Sequence, residues 1–173
     1  KANIYPVREF LARGKQESQI ISCPHCQAEN GSCAHIIGYC LAVQDARIKR
    51  HNHLCELLAE AAKKKDWVVF QELLLTSEQD ELYKLDLVFV KRDQALVVNI
   101  TVRYESKLMS LADAVVEKVK KYQHLKDQAQ ELTEVNIIKF MGFQLGTCGK
   151  WYQGNYELLK EVRLSSSWQE ELA

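Results

Sequence analysis

Residues 85–102 read LDLVFVKRDQALVVNITV, and they give the clearest indication of the fold. Two apolar runs, at 85–91 and 95–102, enclose a short polar link. Runs rich in Val and Ile predict β-strands, and so short a link predicts an antiparallel hairpin. The second run is apolar almost throughout, which predicts a strand buried on both faces of a sheet. The polar Asn99 inside that strand therefore needs an explanation.

The sequence on either side of the hairpin predicts two further strands and three helices. WVVF at 67–70 predicts a strand before the hairpin, and VNIIKFMGF at 135–143 predicts one after it. Apolar residues at spacings of three and four predict helices over 43–65, 110–131 and 156–164. The order α-β-β-β-α-β, with an extra terminal helix, predicts the α/β class.

Composition limits the partners that the chain can bind. The 173 residues are 47% hydrophobic and suit one globular domain with a small appendage. The 23 Lys and Arg balance the 23 Asp and Glu, so any surface for nucleic acid must be local. We expect neither a membrane span nor a secretory leader, because no long apolar run is present. The first residue, Lys1, indicates a piece of a longer protein.

A metal knuckle is predicted at 23–40, CPHCQAENGSCAHIIGYC. Three thiolates and one imidazole satisfy tetrahedral zinc, and the predicted ligands are Cys23, Cys26, His35 and Cys40. The fourth ligand stays open, with His35 favoured, then Cys33, then His25. A disulfide pair is the alternative, but the spacing favours a metal and a reducing compartment.

A second candidate site lies in the strands. An ionised Asp86 between two leucines is costly unless it faces solvent, a partner or a metal, although a structural Asp at a strand edge is equally consistent. Many phosphodiester-cleaving folds hold Mg²⁺ with carboxylates of adjacent strands and use a nearby lysine. The second position here is Asn99, which is a weak ligand. Lys118 and Lys121 could reach the strand ends, and Tyr122 beside them is equally consistent with core.

Three further stretches complete a family pattern: ARIKRHNHLCELL at 46–58, KLDLVFVKRDQALVVNITVRYES at 84–106 and DAVVEKVKKYQHL at 113–125. With the knuckle, they resemble the carboxy-terminal region of site-specific, ribosomal-DNA-inserting non-long-terminal-repeat retrotransposon proteins. The resemblance covers nearly the whole chain. It implies a zinc knuckle followed by a restriction-endonuclease-like domain of the PD-(D/E)xK class, with an αβββαβ core and a mixed four-stranded sheet. The resulting domains are an arm at 1–22, the knuckle at 23–40, the endonuclease domain at 41–164 and a tail at 165–173.

The resemblance also implies roles for residues. The family motif reads Lys-Pro-Asp with a second Asp on the next strand, and here it is Lys84-Leu85-Asp86 and Asn99. Asp86 is then the first ligand of a catalytic Mg²⁺ or Mn²⁺, and position 99 the second. Lys118 is the displaced catalytic lysine, with Lys121 and Tyr122 as alternatives. An Asn at this position predicts severe impairment, through engineering or through decay of a domesticated copy.

Basic residues give the local surface that the neutral chain requires. We predict that DNA is contacted by Arg47, Lys49, Arg50, His51 and Arg103. The Arg50-His51-Asn52 run matches a family motif, and the resemblance implies a role for Arg50 and His51 at the DNA backbone or at the edge of the active site. The run at 63–65 is a second basic cluster, equally consistent with an exposed helix face.

The function implied by the resemblance is nicking of one strand of target DNA, whose exposed 3′ end primes reverse transcription. The implied partners are double-stranded target DNA, the element's RNA and the rest of the polyprotein with its reverse transcriptase, in the nucleus and without a membrane. Two alternatives stay open. One is a catalytically inactive module of the same fold that binds DNA or RNA, and the other is a zinc-stabilised protein-interaction domain that binds no nucleic acid.

Overall fold

The computed structural model describes residues 22–29, 31–77, 79–104, 116, 118–147, 149–165 and 167–168. These residues divide into two compact units, one ending at Arg50 and one beginning at His51. Almost all of the predicted arm, much of the predicted tail and the start of the helix predicted at 110–131 lie outside the described residues.

The first unit contains the knuckle and little regular structure. A π-helical turn spans His35–Tyr39 and a 3-10 turn spans Leu41–Val43. Helix α1, Gln44–Lys63, begins in this unit and ends in the second.

The second unit is built on one sheet of four strands in the order in which they occur in the chain. The strands are β1 Val68–Thr76, β2 Leu82–Lys91, β3 Gln94–Arg103 and β4 Ile137–Gly146. β1, β2 and β3 pair antiparallel, whereas β3 and β4 pair in parallel. Two further helices follow, α2 at Lys126–Thr133 and α3 at Asn155–Val162. The predicted α/β fold with a mixed four-stranded sheet is therefore confirmed.

Several element bounds differ from the predicted ones. β1 runs well beyond the predicted 67–70, and β4 begins and ends later than the predicted 135–143. The helix predicted over 110–131 is interrupted by a 3-10 turn at Gln123–Leu125, after which α2 continues to Thr133.

Helices cover both faces of the sheet. One face packs against α1 and α3 through a buried cluster that includes Leu58, Phe89 and Leu158. The other packs against α2 and the turn before it, through a cluster that includes Leu125 and Ala129. All residues of β3 from Ala95 to Ile100 are buried, as predicted from its continuous apolar run. None of the helices in the described ranges has the length and apolar character needed to cross a membrane.

The sheet is irregular around Asp86. The β2–β3 ladder runs from Lys91 paired with Gln94 to Leu87 paired with Val98 and goes no further. The β1–β2 ladder passes over Glu72, which lies opposite Asp86 and has a left-handed φ of 55°. Local distortions of this kind re-aim side chains and often lie beside functional sites.

Candidate functional site

The four predicted zinc ligands converge in the first unit. The Sγ atoms of Cys23 and Cys40 are 3.8 Å apart, and Cys26 Sγ lies 3.1 Å from His35 Nε2. All four ligand atoms lie within 4.8 Å of one another. Sulfurs bound at about 2.3 Å to a tetrahedral zinc are about 3.8 Å apart, so the donor set and its spacing are consistent with zinc. Among the described residues, His35 is the fourth member of this group, as the sequence favoured.

The backbone explains why these side chains meet. The Cys23 N–H donates to the Ala28 carbonyl at 2.7 Å and the Gln27 N–H donates to the Cys23 carbonyl at 2.9 Å, which closes a tight turn. The His35 N–H donates to Ser32 Oγ at 3.1 Å and fixes the start of the second ligand segment. Cys23, Cys26 and Cys40 form no disulfide among the described residues, which argues against the disulfide alternative for the knuckle.

The knuckle favours the thiolate at Cys23, whereas burial, followed by the neighbouring thiols, raises the pKa of Cys40. Desolvation raises the pKa of the Cys23 thiol, but hydrogen bonds from the N–H groups of His25 and Cys26 offset it and lower that pKa to about 6. Because zinc binds the thiolate, this environment supports metal binding.

The second candidate site is centred on Asp86, where the strands separate. Its Oδ2 accepts a hydrogen bond from the Ile100 N–H at 2.8 Å, so the carboxylate takes the place of a missing ladder partner. The Asp86 side chain is only 14% exposed. Ile100 directly follows Asn99, so the backbone of β3 at Asn99 lies near Asp86.

The Asn99 side chain is buried, and its amide makes no hydrogen bond to any described residue. It is 1% exposed, and within the described residues neither its Oδ1 nor its Nδ2 has a hydrogen-bond partner. Buried polar groups are nearly always paired, so an unpaired amide in a buried strand indicates an ion, a water or a functional constraint at this point. The hydroxyl of Thr101, two residues along β3, is likewise buried and unpaired among those residues.

His51, predicted as a DNA contact, lies against Asp86. Its Nε2 is 3.5 Å from Asp86 Oδ2, and its Nδ1 is 3.7 Å from Cys55 Sγ. The hydrogen bond with Asp86, followed by that with Cys55, raises the pKa of His51 to about 10 against the opposing effect of burial. Burial raises the pKa of Asp86, but hydrogen bonds from His51 and Ile100 and the charge of Lys118 lower it overall. The two side chains therefore form an imidazolium–carboxylate pair at neutral pH.

The predicted lysines lie around Tyr122. The Nζ atoms of Lys118 and Lys121 are 5.7 Å and 5.4 Å from the centroid of its ring. Tyr122 itself is only 5% exposed and belongs to the cluster on the α2 face. Burial raises its pKa, and the negative charge of Asp86 raises it further. Lys118 and Tyr122 are thus electrostatically coupled to Asp86, whereas Lys121 is exposed.

A small cavity of about 170 Å³ opens beside Asp86. It is lined by His51, Asn52, Cys55, Glu56, Gln71, Glu72 and Asp86. Glu72 reaches this site from β1 and pairs with Lys84 at 2.6 Å. Sequence reasoning missed Glu72, because the residues around it carry no motif and only the irregular pairing of β1 and β2 brings it opposite Asp86.

The other predicted DNA contacts have varied surroundings. Arg47 donates to the Cys40 carbonyl at 2.6 Å and so supports the knuckle. Lys49 is exposed, whereas Arg50 and Arg103 are half-buried.

Comparisons with known proteins were made over the whole chain. No protein-family profile matches it. It is 25% identical over 170 residues to a Popillia japonica protein described as "Retrovirus-related Pol polyprotein from type-1 retrotransposable element R2", a match that covers 95% of this chain and 34% of the relative. A Bradysia coprophila protein of the same description is 25% identical over 166 residues, with 96% of this chain and 19% of the relative covered. A further Popillia japonica protein of that description is 34% identical over 76 residues, which are 44% of this chain and 12% of the relative.

The chain spans about a third or less of these curated relatives. Over nearly its whole length it is thus homologous to part of an R2 retrotransposon Pol polyprotein, which supports a retrotransposon-related role.

Proposed function

We propose that this chain is the zinc knuckle and restriction-endonuclease-like part of an R2-type retrotransposon polyprotein. In this proposal the domain belongs to a class of metal-dependent endonucleases. They nick double-stranded target DNA in the nucleus to start target-primed reverse transcription. In the sequence as it stands, Asn99 impairs that activity. The proposal is supported by Asp86, which the Ile100 N–H holds where the β2–β3 ladder ends, and by the buried Asn99 one residue before Ile100, whose amide has no hydrogen-bond partner among the described residues.

In this proposal the chain's own residues prepare the site. The Ile100 N–H holds the Asp86 carboxylate in place. The side chain at position 99 would be the second metal ligand. A divalent ion bound there would activate water and neutralise charge on the phosphate. Lys118, whose charge acts on Asp86, would orient the water or stabilise the developing negative charge, with Lys121 and Tyr122 as alternatives.

The residues present fit Mg²⁺ or Mn²⁺ poorly. Hard divalent ions are held mainly by carboxylates, and the neutral amide of Asn99 is a weaker ligand than a carboxylate. The remaining carboxylate, Asp86, already has the His51 imidazolium at 3.5 Å, which would compete with a metal ion. We therefore expect no cleavage of DNA by this chain with Asn at position 99. An Asp at that position would restore a pair of carboxylates.

These same observations favour a second candidate, a catalytically inactive module of the same fold. Such a module would retain the knuckle at 23–40 and the domain at 41–164 for binding DNA or the element's RNA within the polyprotein that carries the reverse transcriptase. Its metal centre would be replaced by the His51–Asp86 pair and the amide of Asn99.

Nicking of supercoiled plasmid in Mg²⁺ and in Mn²⁺ tests the first candidate. The proteins to compare are this chain, its Asn99→Asp variant, and Asn99→Asp combined with Asp86→Ala. We expect nicks from Asn99→Asp alone, because that variant restores two carboxylates and the added Asp86→Ala removes one again. Binding of the same plasmid fragment by each protein, measured in parallel, separates chemistry from affinity.

Each outcome decides between the candidates. If the Asn99→Asp variant binds DNA with a steep salt dependence but does not cut it, the inactive module is favoured over the endonuclease. Failure of all three proteins to bind nucleic acid would instead favour the protein-interaction domain.

A further inference from the structure

The hairpin end of the sheet carries a cationic groove that the proposed nuclease site does not use. Its volume is about 470 Å³, and it lies between the β2–β3 turn and the end of α3. Lys91 and Arg92 line it from the turn, and Lys160 and Arg163 line it from α3. We propose that this groove binds the phosphodiester backbone of nucleic acid without reading its bases.

The acidic side chains in the groove are already satisfied. Asp93 Oδ1 accepts hydrogen bonds from the N–H and the Nδ2 of Asn136 at 3.0 Å and 2.7 Å. Glu161 Oε1 lies 2.6 Å from Lys139 Nζ, in a pair that neutralises its charge. Glu161 is thus neutralised by Lys139, whereas Asp93 keeps its negative charge and is outnumbered by the cations that line the groove.

Three of those cations have no such partner. Across the part of the chain that the structure describes, the side chains of Arg92, Lys160 and Arg163 make no ion pair and no hydrogen bond, and all three are exposed. Unpaired cations around one concavity attract a polyanion, and guanidinium groups in particular bind phosphate oxygens in a bidentate manner.

A second basic segment adjoins the same groove. Lys91 Nζ donates to the carbonyl of Lys65, lies 3.7 Å from Asp66 and is 5.9 Å from the centroid of the Trp67 ring. These contacts bring the lysine run at 63–65, at the end of α1, next to the β2–β3 turn. Lys65, the last residue of the run that the sequence left open between a basic cluster and an exposed helix face, thus lies near the groove through its backbone carbonyl.

The lining favours contacts with phosphates over contacts with bases. The aromatic residue among the described lining residues is Trp67, which is only 5% exposed and offers no face on which a base could stack. Cationic contacts to phosphates position a nucleic acid but carry no sequence information. Binding at this groove should therefore depend on salt and be independent of sequence.

The position of the groove relates it to the proposed nuclease site. Asp86 and Lys91 are separated along β2 by about 17 Å, taking roughly 3.4 Å per residue. This is about five base-pair steps of B-DNA, so the two places fall within the length of one short duplex. The inference rests on the proposed function only in its choice of ligand, because it requires no cleavage.

The test measures binding by a variant with three of these cations removed. We choose Arg92→Asn and Arg163→Asn because both residues have left-handed backbones, with φ of 56° and 63°, which asparagine adopts readily. Lys160→Gln completes the triple variant. A matched control removes three exposed lysines of the same unit, as Lys120→Gln, Lys126→Gln and Lys150→Gln. Circular dichroism and thermal unfolding verify that both variants fold.

Binding is measured by fluorescence anisotropy against a labelled DNA duplex, the RNA duplex of the same sequence and two unrelated DNA duplexes, across a series of salt concentrations. We expect the groove variant to lose at least about tenfold in affinity at 0.1 M salt, equally for all DNA sequences, and its slope of log K against log salt to shrink by about 2 to 3. The RNA arm determines whether one or both kinds of backbone bind.

Several results would overturn the inference. An equal loss in the groove variant and in the control would assign the effect to net charge, and an unchanged affinity would exclude the groove. Vesicles containing phosphatidylserine form a last arm, in which groove-dependent binding with unaltered nucleic-acid affinity would assign the surface to anionic lipid. Since no arm measures nicking, failure here is distinct from failure of the Asn99→Asp test.

Discussion

Asn99 and Asn155 are two buried amides with opposite hydrogen-bonding states. Asn155 donates to the Gln144 carbonyl at 2.7 Å and accepts from the Gln144 N–H at 2.9 Å. Asn99 is equally buried, but its amide has no partner in the described residues. The first stabilises the junction of β4 and α3, whereas the second imposes a desolvation cost on β3.

We expect Asn99→Leu to stabilise the protein by about 1 to 2 kcal/mol, because it removes an unpaired buried amide with little change of shape. Asn155→Leu, the matched control, should destabilise it by about 2 to 3 kcal/mol, because it leaves backbone groups of Gln144 unpaired. Urea unfolding of both variants measures the two free energies. A loss of stability in Asn99→Leu would mean that the amide is satisfied by a bound water or ion.

The His51–Asp86 pair gives the protein a definite pH dependence. The pKa of His51 is raised from its ordinary value to about 10, so its stabilisation is complete below about pH 6.5 and is lost as pH rises toward 10. The pKa of Asp86 is lowered, so its stabilisation is present above its ordinary pKa and is lost on acidification. The pair should therefore contribute most near pH 5 to 6.5.

We expect His51→Gln to lower the unfolding free energy by about 1 kcal/mol at pH 6, a modest value because the pair is partly screened by solvent. The difference from the parent chain should shrink steadily between pH 7 and pH 10. His53→Gln, an exposed position on the same helix, is the control and should show no such trend. A difference for His51→Gln that does not vary with pH would contradict the ion pair.

At the scale of elements, the knuckle can be tested ligand by ligand. We expect the purified chain to hold one zinc ion, and Cys26→Ser to lose it, because three donors seldom retain structural zinc. Cys33→Ser and His25→Ala should both keep the metal, since the converging group is completed by His35. Zinc content measured by mass spectrometry distinguishes these variants, and loss of zinc from Cys33→Ser would reassign the fourth ligand.

The strands also show which structural features a sequence pattern can predict. The β2–β3 hairpin and the burial of β3 could be predicted because strand periodicity and turn chemistry are local. The length of β1 could not, because the polar pair Gln71 and Glu72 interrupts its apolar pattern while the strand continues to Thr76 through the left-handed backbone of Glu72. For His51 the sequence left a DNA-backbone role and a role at the active-site edge open, because sequence alone does not show that α1 passes next to Asp86.

At the scale of the whole molecule, a net charge of zero conceals a strong asymmetry. The basic groups near the hairpin groove come from the end of α1, the β2–β3 turn and the end of α3, which are far apart in sequence. No charge run therefore marked the groove as one surface, and only the run at 63–65 was visible beforehand. Of the two carboxylates in the lining, Glu161 is neutralised by Lys139, so the cations of the lining outnumber the one carboxylate, Asp93, that keeps its charge.

The distortion at Glu72 has a consequence for how copies of the protein behave in solution. Within the described residues β1 forms one edge of the sheet, and it exposes Val68, Phe70 and Leu74 by 58%, 42% and 56%. A flat apolar edge of this kind is a template on which a strand of another molecule can pair, and it promotes aggregation. The left-handed, charged Glu72 breaks that edge in its middle. Glu72 thus disfavours pairing of this edge with a neighbouring chain, through both its charge and its left-handed backbone.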